Sequence, residues 1–200
     1  LVARKEPWRD DIELIGNAVD AEHFRRPRAR PAAMPPGMVV VYVGTLHTDR
    51  LDVDLVVDLA RRSPAATVVL VGPDALDPAS ADRMDAAGVV RVGPVAHADV
   101  PAWMQHAAVV VVPHRITPFT ESLDPLKAYE VMAAGKVTVA TPVAGFREVA
   151  ERFAHVHIAG PDRFVDAVAD VLASPQPSGS SGEGRVAAED LPSWEERARR

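Results

Sequence analysis

The residues best suited to chemistry lie between Pro113 and Lys136. Lys127 and Glu130 are three positions apart there, which on a helix makes them neighbours on one face. Asp124 has the chemistry of an N-cap, Pro125 fits a first helical position, and Gly135 fits the residue just past the C-terminus. Those signals predict a short helix whose N-terminal amides and dipole face the preceding loop, a natural place for an anion. Lys127, in the first turn, would add positive charge toward a diphosphate, with Glu130 on the same face of the helix. The competing reading is a solvated Lys–Glu pair contributing only ~0.3–0.5 kcal/mol.

A second segment, Gly44-Thr45-Leu46-His47-Thr48-Asp49-Arg50, follows an apolar run. A glycine at such a turn lets phosphates approach the backbone, and Arg50 could pair with them. It contains neither a P-loop nor Gly-x-Gly-x-x-Gly, so a plain strand-to-helix turn is the alternative. Gly72-Pro73 and Gly93-Pro94 read as ordinary turns. The seven histidines are scattered, and no spacing of metal ligands stands out.

The elements that must position these residues alternate regularly. Apolar runs at 38–43, 67–71, 89–92, 108–112, 137–140 and 155–158 read as strands. Between them, 51–62, 79–87, 100–107, 126–134, a short stretch near Phe146, and 163–173 read as helices. Continuous Val-rich strands separated by helices are buried on both faces, the mark of a parallel sheet. The expected fold is α/β, a Rossmann-like doubly wound parallel sheet, in which ligands bind at the carboxyl ends of the strands. Phe24 to Gly37 interleaves Arg25, Arg26, Arg28 and Arg30 with prolines and reads as a solvated linker. A patch for anionic lipid, at about 1 kcal/mol per charge, is the sharper alternative. Ser174 to Gly184 is Ser/Gly/Pro-rich and reads as flexible, and a helix restarts at Pro192-Ser193-Trp194.

Composition narrows the function classes. At 200 residues, 48% hydrophobic and 25% charged, the chain is an ordinary globular protein. It has no cysteine, which excludes disulfides, thiolate zinc sites, iron–sulfur clusters and a cysteine nucleophile. A net charge of −6 argues against general nucleic-acid binding. Apolar runs fall well short of the ~20 residues that span a bilayer, and Leu1 to Arg9 does not read as a signal peptide. A start without Met reads as a fragment or a processed chain.

The stretch Ser122-Leu123-Asp124-Pro125-Leu126-Lys127-Ala128-Tyr129-Glu130-Val131-Met132-Ala133-Ala134-Gly135-Lys136, followed by Val139-Ala140-Thr141-Pro142, resembles the donor-site motif of retaining glycosyltransferases of the GT-B fold. It is most similar to the bacterial family-4 enzymes that build surface polysaccharides. Gly16-Asn17-Ala18-Val19-Asp20 with Phe24, Tyr42-Val43-Gly44-Thr45 and Ser193-Trp194-Glu195-Glu196-Arg197 resemble other parts of the C-terminal domain of that family. The resemblance implies a domain that binds a nucleotide-sugar, UDP- or GDP-linked, with no cofactor and no metal. It places Glu130 on the ribose hydroxyls, and Lys127 and Arg50 beside the diphosphate as the catalytic residues. Gly44 and Thr45 form the turn near the phosphates, with Thr45 and Arg50 standing where the family often carries Arg and Lys. The acidic position eight before the motif glutamate is Ser122 here, flanked by Glu121 and Asp124, so these three are the candidates for contact with the sugar. Ala18 replaces the family's glycine.

The implied organisation is an interdomain strand and basic linker at 1–37, a nucleotide-sugar-binding domain at 38–173, and a flexible segment with a C-terminal helix at 174–200. The family's N-terminal acceptor domain is missing from this chain, so the expectation is a donor half, inactive alone, from a cytoplasmic enzyme with peripheral contact at the inner membrane face. The alternatives are a non-catalytic assembly module built on the same domain, or a sugar-nucleotide epimerase of similar architecture.

Overall fold

A computed structural model describes residues 15–174 and 186–199. The opening residues and most of the Ser/Gly/Pro-rich stretch lie outside the described residues. Six strands form one parallel sheet: β1 (Met38–Val43), β3 (Ala66–Val71), β5 (Val90–Gly93), β6 (Val109–Val112), β7 (Thr138–Ala140) and β8 (Val156–Ile158). Their order is β5-β3-β1-β6-β7-β8. The chain starts in the middle, builds outward through β3 and β5, then returns to the other side of β1. This is the Rossmann-like order, and the reversal opens a crevice between the carboxyl ends of β1 and β6.

The Val-rich runs are continuous because each strand is covered on both sides. Val39, Val41 and Val43 face one hydrophobic cluster, while Val40 and Tyr42 face the other. Val110 and Val112 likewise oppose Val109 and Val111. Fully burying each such side chain contributes about 1.5–3 kcal/mol, so one charge at Val41, which is 0% exposed, would disrupt the sheet. One face is covered by α1 (Ala21–Arg25), α4 (Val100–Gln105), α5 (Leu126–Ala133) and α6 (Ala144–Ala150). The other is covered by α2 (Val53–Arg62), α3 (Pro78–Ala86) and α7 (Pro161–Ala173), with Phe164 at its centre.

Three differences from the sequence reading have physical causes. Helix α2 begins at Val53 rather than Leu51, because Leu51 forms an antiparallel bridge with His114. Asp52 then caps the helix, accepting the Leu55 N–H at 3.1 Å. Two short strands, β2 (Leu46–His47) and β4 (Asp74–Ala75), pair in parallel beyond β1 and β3, too short to show a period.

The basic segment 24–37 is largely exposed, as a solvated linker would be, but it differs from a free one in being tied to the fold at several points. Phe24 and Met34 are buried in the core, Arg28 N–H donates to Gln105 Oε1 at 2.9 Å, and Gln105 Nε2 donates to the carbonyls of Phe24 and Arg26. Arg25 donates to the Val186 carbonyl, Arg30 to that of Pro35, and Arg26 pairs with Glu22. The segments around Val19 and Pro192 meet here: Val19 N–H donates to Pro192 O at 2.9 Å, just before α8 (Trp194–Ala198), which Ser193 and Glu196 start with a reciprocal capping box.

Candidate functional site

Helix α5 follows the loop after β6, so right-handed β–α–β connection puts its N-terminus at the carboxyl edge of the sheet. Its C-terminus is as expected. Gly135 has φ +70°, its N–H donates to Met132 O at 3.0 Å, and Lys136 N–H donates to Val131 O at 3.1 Å. That is a Schellman closure, which requires a residue tolerant of the left-handed conformation.

The N-terminus differs from expectation. Asp124 does not cap the helix; Pro125 occupies the cap position without a side-chain hydrogen bond. The Asp124 carboxylate accepts the Asn17 N–H instead, at 2.5 Å. The amides of Leu126 and Ala128 donate to Asp124 O and Pro125 O, each at 2.9 Å, so they are already engaged. Opposite them, α6 seats against the loop at Gly145, where a Cβ would come 2.7 Å from both Leu123 O and Pro125 Cδ.

Lys127 and Glu130 do meet, with Nζ 2.6 Å from Oε2. Glu130 is buried, its side chain 4% exposed, whereas that of Lys127 is 33% exposed. This is a half-buried pair, not the solvated face pair weighed from spacing alone. Glu121 sits elsewhere, in a two-toothed salt bridge with Arg147 (3.2 and 3.0 Å) whose hydrogen bonds hold its carboxyl below the usual carboxylate range. Ser122 is exposed, and its hydroxyl donates to Phe119 O at 2.6 Å.

At the switch point the turn after β1 is tightly packed. A Cβ on Gly44 would meet the Tyr42 hydroxyl at 2.8 Å, so here its missing side chain makes room for an aromatic ring. Thr45 offers its carbonyl to the same hydroxyl at 3.4 Å. Burial pushes the Tyr42 phenol up to about 12, against the opposing effect of Arg50. Beyond it, 3.5 Å from the hydroxyl, lies His114 Nε2. Burial, reinforced by the nearby Arg50 cation, pushes His114 down to about 4, so the ring is neutral near pH 7. Thr141, at the end of β7, fixes this histidine: its Oγ1 accepts the His114 N–H at 3.1 Å and donates to His114 O at 2.7 Å.

Arg50 stands over the crevice with its guanidinium carbon 5.8 Å from the Phe119 ring centroid. Its main chain is pinned, because Arg115 N–H donates to Arg50 O at 2.7 Å and Asp52 N–H donates to Pro113 O at 2.8 Å. A cleft of about 560 Å³ opens here, lined by His47, Asp49, Arg50, Arg115, Thr117 and Phe119. Thr120, fully buried, braces the loop that carries Arg115 and Thr117, receiving the Thr117 N–H at 2.9 Å and donating to the Arg115 carbonyl. The structure thus unites Arg50 with Arg115 and Phe119, and Lys127 with Glu130, while Glu121 and Asp124 are committed to Arg147 and Asn17. Arg115, Thr117 and Phe119 were all inside the loop singled out from the sequence, but no local signal marked them as lining a cleft, nor His114 as the buried neighbour of Tyr42. Among the described residues, no cluster of three or more metal-ligating side chains is present, and no helix is long and apolar enough to cross a membrane.

The family model for glycosyl transferases group 1 matches residues 37–174. TuaH of Bacillus subtilis, named a putative teichuronic acid biosynthesis glycosyltransferase, is 26% identical over 172 residues. The match covers 82% of this chain and 43% of TuaH, so the chain spans less than half of that relative. Among solved structures, sucrose-phosphate synthase from Thermosynechococcus elongatus superposes with a TM-score of 0.72 at 23% identity, covering 99% of this chain and 53% of that one. Anabaena HepE, solved with UDP and glucose, gives 0.70 at 17% identity, over 92% of this chain and 53% of its own. At such identities these two likenesses bear on the fold.

Proposed function

Because the chain belongs to the group 1 glycosyl transferases, we propose that it is the donor-binding part of an enzyme that moves a sugar from a nucleotide diphosphate to an acceptor. The observation that carries this reading is the Lys127–Glu130 pair, a buried carboxylate held 2.6 Å from a half-exposed ammonium at the carboxyl edge of the sheet. A carboxylate can accept two hydrogen bonds from a vicinal diol, which suits Glu130 to a ribose. The Lys127 ammonium has three donors, and only one is spent on Glu130. Its remaining donors, with the Arg50 guanidinium, would face the diphosphate.

As the glycosidic bond breaks, negative charge grows on the departing diphosphate. Cations fixed in advance stabilise that charge more in the transition state than in the ground state, which raises kcat rather than only tightening binding. Arg50 is fixed by its main-chain bonds and by Phe119, and Lys127 by Glu130. Glu121 and Asp124, already bonded within the fold, are less suited to the sugar than the motif suggested; Ser122, Gly44 and Thr45 border the same edge. The family match sets aside the epimerase alternative.

We extend the proposal to transfer with retention at the anomeric carbon, to an acceptor held by a second domain, in bacterial surface-polysaccharide synthesis. Its support is the motif resemblance and the name of the TuaH relative. The direct test is calorimetric titration of the chain with UDP, GDP and ADP. Binding of one nucleotide, weakened in Glu130→Ala, is expected; binding of none would sink the proposal and favour a non-catalytic module. The anomeric configuration of the product, read by NMR with the acceptor-binding partner domain present, tests retention.

A further inference from the structure

We infer that Arg115 is the partner of Arg50 in holding an anion, the two guanidinium groups together receiving the two phosphoryl groups of a diphosphate. The inference rests on the proposed donor-binding function, and adds that the diphosphate reaches into the cleft beside Arg50. Arg115 lies outside the motif positions, so its assignment comes from the fold alone.

Four observations carry it. The two residues are joined across the crevice by the Arg115 N–H to Arg50 O bond of 2.7 Å, flanked by the Leu51–His114 bridge, so their spacing is set by main chain rather than by flexible side chains. Both line the same cleft, whereas Lys127 and Glu130 do not. Among the described residues neither guanidinium has a carboxylate partner, although Arg62, Arg83, Arg91 and Arg147 each have at least one. Among the described residues the Arg115 side chain makes one hydrogen bond, of 3.4 Å to the Thr48 carbonyl, and the buried Nε of Arg50 makes none.

A buried donor without an acceptor is costly, and the Arg50 Nε is one. An anionic ligand in the cleft supplies the acceptor. Guanidinium forks match phosphate oxygens two by two, which an ammonium cannot do. The acidic group on the cleft, Asp49, is turned to His47, with Oδ2 3.6 Å from Nδ1. His114, the titratable group beneath Arg50, is uncharged near pH 7 and adds no competing cation.

The experiment titrates the full chain with inorganic pyrophosphate, orthophosphate and UDP, comparing wild type with Arg115→Ala, Arg115→Lys and Glu130→Ala. Arg115 is exposed and makes one weak side-chain bond, so its variants should melt with the wild type. Arg115→Ala is expected to weaken pyrophosphate and UDP by roughly tenfold or more, the loss of a charge-assisted pair, and to weaken orthophosphate less. Arg115→Lys should restore only part of the affinity. Pyrophosphate affinity unchanged in Arg115→Ala overturns the inference. If UDP then still depends on Glu130, the nucleotide-sugar reading survives that failure; if pyrophosphate needs Arg115 while UDP ignores Glu130, the anion pair stands and the nucleotide reading falls.

Discussion

The ammonium of Lys127 lies 2.6 Å from Oε2 of Glu130, and the two ends of this pair live in different surroundings: one-third exposed for the lysine, 4% for the glutamate. Removing either partner therefore has unequal consequences. The lysine can turn to water, but the carboxylate cannot.

For that reason Lys127→Ala should destabilise the protein by about 1–3 kcal/mol, the cost of leaving a buried polar group without its partner. A surface pair would cost only tenths. Thermal melting of Lys127→Ala beside Lys127→Ala/Glu130→Gln checks this, since the double variant should recover most of the loss. In an assay with the acceptor-binding domain present, kcat should fall ~10²-fold in both, because neither restores the cation.

Glu130→Ala, by contrast, leaves a cation that stays hydrated, so its cost to the fold is that of emptying a buried site, about 1–2 kcal/mol. Nucleotide binding should weaken by ~2 kcal/mol, the loss of charge-assisted hydrogen bonds to a diol. Calorimetry decides this, and an unchanged affinity in a folded variant would remove Glu130 from the ribose.

His114 makes stability depend on pH. Burial and then the Arg50 cation lower it from 6.5 to about 4. Above pH 6.5 neither the folded nor the unfolded chain protonates this ring, and the group has no effect. As pH falls from 6.5 toward 4 the unfolded chain takes up a proton that the fold refuses, so stability declines, by at most ~3 kcal/mol, and levels off below. Urea midpoints at pH 7.5 and pH 4.5 should converge in His114→Gln relative to wild type.

Gly72 should tolerate no side chain. Its φ is +148°, and a Cβ would lie 2.1 Å from the Gly44 carbonyl oxygen, inside the closest approach of the β1 and β3 ends. Gly72→Ala is expected to cost ~3 kcal/mol or more, seen as a lowered urea midpoint or loss of soluble protein.

Asp124→Ala should loosen the segment before α1 rather than the ligand site. Its carboxylate holds the Asn17 amide, 107 residues away. Hydrogen exchange of residues 15–20 should speed up while nucleotide affinity stays at the wild-type value. A large affinity loss would return Asp124 to the sugar contact suggested by the motif.

The α/β rhythm was legible in the residues themselves. Val39 to Val43 must be covered on both faces because they offer no polar face, and that alone requires a parallel sheet with helices on each side. Gly135 ends α5 where its sequence places it, because a left-handed residue at a helix end is a local demand. The Lys127–Glu130 contact was legible for the same reason, being set by helical spacing.

What only the tertiary structure decided is which partner each polar group finds. Asp124 has the right chemistry to cap its own helix, yet a backbone donor 107 residues away takes it. Glu121 stands beside the motif but goes to Arg147, which α6 brings alongside. Gly44, read as room for phosphate, is also required by the Tyr42 hydroxyl, which a Cβ would meet at 2.8 Å. Arg115, an unremarked residue in a loop, becomes Arg50's neighbour because Leu51 and His114 bridge there. Periodicity and end-capping glycines are settled within a few residues, so the sequence carries them. A carboxylate or guanidinium instead takes the strongest complementary group within a few ångströms, and only the assembled sheet determines what that neighbourhood contains.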